Sequence, residues 1–176
     1  MTADQITTLI IAIFFKDWPV WPKGQKLEFA QQPFGIGKVL IDAFHRHLAG
    51  IEIVWVWREK LVRLGEPLYG KASLANPLLH FLTGAVFVIE MSYEVWPTMT
   101  PLQQIAAVDH ELMHLEIEGE KPSIRAHDIE EFGEILRRWG AWHSTITILA
   151  SQLELFEQAA KLPTGVPDDE PAHAAG

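Results

Sequence analysis

The segment TPLQQIAAVDHELMHLE, residues 100–116, constrains the fold more than any other stretch. Thr100 is a good helix N-cap, and Pro101 suits the first helical position, where its missing N–H is no loss. Gln103 completes a capping box with Thr100. From there Leu102, Ile105, Ala106, Leu112 and Met113 recur at helical spacing and predict one buried side. Within the same helix, VDHELMH (108–114) sets two histidines four apart, with a glutamate directly after the first. Positions i and i+4 share a face, so His110 and His114 can aim both imidazoles at one point. The domain must therefore pack around this helix while leaving that point accessible.

The spacing H-E-x-x-H takes two nitrogen ligands for zinc from one rigid turn of helix. Glu111 is rotated about 100° from His110. It is badly placed to ligate the same ion but can reach a water bound to it. A chain with eight histidines in 176 residues gives the bare pattern by shuffling about 0.03 times, so a surface helix with two unrelated histidines is the weaker account. The cap, the mid-helix position and an apolar strand just upstream weaken it further. Zn2+ is the expected cofactor, with Glu111 as the catalytic residue and a fourth coordination position left for water.

The third protein ligand has to come from elsewhere. A histidine six residues beyond the motif would need Gly at 117 and His at 120, but Ile117 and Glu120 occupy those places. The next predicted helix offers His127 at its start, then Glu130, Glu131 and Glu134. His127 is the preferred candidate, with Glu131 and Glu130 as the carboxylate alternatives. A carboxylate not used as a ligand can orient an imidazole from behind. Arg125, Tyr93 and His143 are near enough in sequence to steady an oxyanion, although a structural role is the simpler reading for each.

Around this helix the pattern predicts an α+β domain, with a small mixed sheet of about three strands packed against it and further helices. IEIVWVWR, 51–58, is apolar on both faces except Glu52 and reads as a strand covered on both sides. Further strands are expected over 68–74 and 84–92, the latter just ahead of the motif helix. GIGKVLIDAFHRHLAG, 35–50, has a helical period closed by Gly50, with His45 and His47 read as surface residues. ITTLIIAIFF, 6–15, is too short to span a bilayer and reads as a docking helix or a buried strand. DWPVWPKG is a loop by its prolines, and 116–126 a loop by its Gly, Pro and charges. Helices are expected over 127–139, stopped by Gly140, and over 143–161, where one apolar face recurs. These divisions give an N-terminal extension over 1–34 packing on the domain, an α+β domain carrying the HExxH helix over 35–162, and a compositionally disordered tail over 163–176.

The formal charge of −9, with a pI near 5.3, argues against nucleic-acid binding, because phosphate contacts need clustered Lys and Arg. The absence of cysteine removes disulfides, thiolate zinc knuckles and thiol nucleophiles. No signal-peptide pattern opens the chain, so a cytoplasmic protein without membrane attachment is expected.

Residues 51–142 resemble the family called Putative phage metallopeptidase, small proteins of phages and prophages. The resemblance rests on IEIVWVW, the GKAS stretch at 70–73, VFVIEM, VDHELMH and, above all, AHDIEEFGEILRRWGAW at 126–142. The family is similar to SprT-like and minigluzincin zinc proteases, in which an HExxH helix follows a small sheet. It implies a peptidase acting on peptide or protein substrates in a bacterial host cell, and a downstream histidine as third ligand, which favours His127. The competing expectations are a zinc-stabilised binding module without turnover that engages a host protein, and a helical interaction protein without metal.

Overall fold

The computed structural model describes residues 2–14, 26–119, 121–127 and 131–142. In chain order the elements are α1 (Ala3–Phe14), β1 (Leu27–Phe29), α2 (Gln31–Phe44), β2 (Ile53–Arg58), β3 (Val62–Arg63), β4 (Glu66–Pro67), β5 (Gly70–Leu74), α3 (Pro77–Thr83), β6 (Phe87–Ser92), α4 (Pro101–Met113), β7 (Leu115–Glu118), β8 (Lys121–Ile124) and α5 (Gly133–Trp139). The fold is α+β, with a four-stranded mixed sheet ordered β1-β2-β6-β5. β2 and β6 run parallel through all six residues, from Ile53↔Phe87 to Arg58↔Ser92, and β5 and β1 pair antiparallel on the outside.

The alternation of each strand decides which face meets the helices. Trp55, Trp57, Phe87, Ile89 and Met91 are buried and point to one side. Gly70 and Ala72 lie beside Met91 and Ile89 in register, so they share that side. Val54, Val56 and Val88 face the other way and are only half-buried, so the strand at 51–58 is fully covered on one face rather than both. β6 lies in the interior of the sheet. Gly37 lets α2 approach the sheet closely, since a Cβ there would lie 2.5 Å from the Trp55 ring.

α4 is the central element. Its start has the predicted geometry: the Thr100 hydroxyl accepts from the Gln103 N–H, and the Gln103 side chain accepts from the Thr100 N–H at 2.8 Å. Eight of its residues are buried, from Gln104 through Asp109 and then Glu111 and Leu112, while Leu102 is exposed. A single buried stripe therefore understates its position, because the sheet, α1, α2 and α5 all pack on it. α1 contributes the fully buried Ile6 and Ile10 to the common core, so the apolar N-terminal segment docks as a helix.

Four local expectations are corrected. Residues 77–83 form a short helix, capped by the Asn76 side chain and closed by Gly84 at φ +74°, so the third strand begins at Phe87 rather than 84. Residues 115–124 are a hairpin, not a loop. Leu115 and Ile117 alternate with Glu116 and Glu118, Glu118 pairs with Lys121, and Gly119 has the positive φ, +66°, that a tight reversal needs. α5 begins at Gly133, not 127. His45, read as a surface residue, is buried at the C-cap of α2, whereas His47 is exposed. The predicted helix over 143–161, the tail and the whole DWPVWPKG loop lie outside the described residues. Among the described residues no helix is long and apolar enough to cross a membrane.

Candidate metal centre

α4 delivers His110 from its last turn and His114 as its C-cap residue, still at helical φ and ψ. The hairpin β7–β8 then turns the chain back, and His127 follows three residues after it. The Nε2 atom of His127 lies 3.1 Å from Nε2 of both His110 and His114. Among the described residues these three form the one group of His, Asp and Glu side chains able to hold a metal ion, with one donor atom from each.

Two outer contacts set the tautomers. His110 donates Nδ1–H to Oε1 of Glu131, and His114 donates Nδ1–H to the carbonyl of Arg125 at 2.7 Å. With the proton committed to Nδ1, each ring turns an Nε2 lone pair toward the same point. Lone pairs aimed at one another from 3.1 Å repel unless a positive charge lies between them. Nitrogens bonded tetrahedrally to zinc at about 2.0–2.1 Å would stand about 3.3 Å apart. The donor set and its spacing therefore fit the ion.

Glu131 takes part from behind. Its Oε1 also accepts the Phe132 N–H at 2.8 Å and its Oε2 the Trp142 indole N–H at 3.0 Å, so both oxygens are engaged away from the convergence point. Burial pushes its pKa up, but the His110 contact, the Phe132 amide and the Trp142 indole outweigh that and hold it below the usual carboxylate range. Burial works against the charged form of His110 as well, yet the bond to Glu131 and the nearby carboxylates raise its pKa. Among the described residues no carboxylate bonds to His114, and burial brings its pKa down to about 4. Glu130 and His143 lie outside the described residues.

Glu111 points from α4 under β5. It is buried, receives a backbone hydrogen bond from Ala72, and burial pushes its pKa up to about 7. Its carboxyl and the three imidazoles line one cleft of about 500 Å³, with walls formed by Val62 and Arg63 of β3, Lys71 of β5 and Ile124 of β8. Arg125 and Tyr93 are absent from its lining. The Arg125 guanidinium lies over the Phe132 ring, and Tyr93 packs edge-on against Trp57.

Behind α4 lies a polar cluster that the sequence reading missed. Asp109 is fully buried and holds His45 at 2.5 Å, Arg138 at 2.7 Å and the Trp139 indole N–H at 2.5 Å. It ties α2 and α5 to the helix one residue before His110. The available signal was an acid on a helix whose neighbours Ala107, Val108 and Leu112 are apolar.

Comparison with curated proteins and with solved structures gives no match. The model of the family described as Putative phage metallopeptidase matches residues 26–153, a span that runs from β1 through α5 and takes in the whole convergence of histidines. The chain belongs to that family.

Proposed function

We propose that the protein is a zinc-dependent peptidase in which His110, His114 and His127 hold the metal and Glu111 is the general base. The observation that carries this reading is the meeting of three Nε2 atoms beside a buried carboxyl on the wall of an open cleft. Zinc bound there would lower the pKa of its water toward about 7 and polarise the scissile carbonyl. The chain's own groups supply the rest. Glu131 and the Arg125 carbonyl hold the imidazoles in the Nδ1–H form. Glu111 has a pKa near neutrality and a buried Oε2 to which no described residue hydrogen-bonds, so that oxygen can accept a proton from the attacking water and return it to the leaving amine.

The substrate is a polypeptide segment in extended form. β6, the strand just ahead of the motif helix, is paired on both sides and offers no free edge. β5 is one of the two sheet edges, and it borders the cleft through Gly70, Lys71 and Ala72. A peptide adding to β5 would bring its backbone past the histidines.

The test is hydrolysis of a peptide library by tag-free, zinc-loaded protein. Glu111→Gln should keep zinc and lose turnover by about 100-fold or more. Zinc binding without turnover in the parent protein would leave the non-catalytic binding module in its place.

A further inference from the structure

Among the described residues five glycines, Gly50, Gly65, Gly84, Gly119 and Gly140, have positive φ, and a Cβ on any of them would meet open space. Gly70 is the opposite case. It is not among the positive-φ residues, so its backbone would accept any side chain. The obstacle is spatial. A Cβ at position 70 would lie 2.7 Å from Oε1, 2.8 Å from Cγ and 2.9 Å from Cδ of Glu111. Real Cβ atoms do not approach other heavy atoms so closely.

Gly70 and Ala72 are the small residues of the GKAS stretch and share the face of β5 that meets α4. Glu111 lies across that face, with Gly70 against its distal atoms and the Ala72 N–H donating to it. The end of a glutamate ordinarily swings aside at small cost. Here the side chain is 5 % exposed, confined between helix and strand, and a swing would carry it away from the Ala72 N–H.

We propose that Gly70 is a positioning residue: the side chain it lacks leaves the slot between β5 and α4 in which the Glu111 carboxyl sits beside the three imidazoles. The steric part stands on the structure alone, and the catalytic consequence rests on the reading of Glu111 as the base. Gly70 touches neither the metal nor the peptide bond; it acts through Glu111. In consequence one edge strand presents its backbone to substrate and fixes the base behind it.

The experiment is a double-mutant cycle with two readouts. The first is thermal melting of chelator-treated full-length protein. Gly70→Ala should lower Tm by about 3–5 °C in the parent chain, the size expected for overpacking. In the Glu111→Ala background, where the obstructed group is gone, the drop should shrink to about 1 °C or less. The second readout is steady-state kinetics of the zinc-loaded protein. Gly70→Ala should reduce kcat on the order of 100-fold while KM and zinc affinity stay within about twofold of the parent. Equal Tm shifts in the two backgrounds, or an unchanged kcat, would overturn the proposal. If Gly70→Ala alone fails to fold, recovery in Gly70→Ala/Glu111→Ala supports it, and failure of that pair too overturns it. A parent protein that cleaves no peptide removes the peptidase reading, and the melting cycle still decides whether the slot exists.

Discussion

His110 and Glu131 are 21 residues apart in the chain and joined by one short hydrogen bond, from the imidazole Nδ1–H to the carboxylate. That bond places Glu131 behind the ring and not beside its Nε2. The account therefore predicts an order of effects. Glu131→Ala should weaken zinc binding by about 10–100-fold, as loss of an orienting partner does. His127→Ala should weaken it by more than that, since a donor atom is removed. Titration against a chelator of known affinity measures both; a larger loss for Glu131→Ala would move the third ligand to the carboxylate.

The metal-free protein should show the buried state of Glu111 in its pH dependence. Its pKa rises on folding from 4.5 to about 7. Between those values the folded chain keeps a proton that the unfolded chain has released. The stabilisation is full below pH 4.5 and is lost as pH rises through about 7, a change on the order of 3 kcal/mol. His114 acts in the opposite sense. Its pKa falls from 6.5 to about 4, so its contribution is present above pH 6.5 and lost as pH falls toward 4. Urea denaturation of parent and Glu111→Gln in chelator at pH 5 and pH 8 separates the two. The parent should lose stability relative to the variant at pH 8, and a constant difference would contradict the assignment.

Asp109 answers three donors from two helices with one fully buried carboxylate. Asp109→Ala would leave the buried His45 and the half-buried Arg138 without their shared acceptor, and should cost about 3–5 kcal/mol. Chemical denaturation of the metal-free chain reads that cost. A loss under about 1 kcal/mol would show that α5 is held to α4 by apolar packing alone.

Gly37 supplies a contrast to Gly70. A Cβ at 37 meets the Trp55 ring at 2.5 and 2.6 Å, and that ring is packed in the core. Gly37→Ala should destabilise by about 1–3 kcal/mol, and Glu111→Ala should not relieve it. Melting both variants in both backgrounds tests whether the coupling at Gly70 is specific.

The parts of the fold legible in the sequence were those where one residue type has one physical use. Thr100, Pro101 and Gln103 fix a helix start through backbone valence, and the spacing of His110 and His114 fixes a shared face. The β-branched and aromatic run at 51–58 marks a strand, although the apolar Val54 and Val56 hid which of its faces is the buried one. The hairpin over 115–124 was hidden because Pro122 and four charges resemble loop chemistry, although Leu115 and Ile117 alternate in the pattern of a strand. Burial of His45 was illegible for another reason: its partner Asp109 is 64 residues away. The orienting carbonyl of Arg125 belongs to the backbone, and no side chain announces it. The close approach of Gly70 to Glu111 needed a tertiary contact to give the glycine its meaning.

The most direct test of the central claim is diffraction at the zinc absorption edge from crystals of tag-free protein loaded with one equivalent of zinc. The account predicts a single peak bonded to Nε2 of His110, His114 and His127 at about 2.0–2.1 Å, with a solvent oxygen completing the sphere and Glu131 touching only the His110 Nδ1. A metal held by a fourth protein group, or imidazoles of His110 and His114 turned to different points, would contradict it.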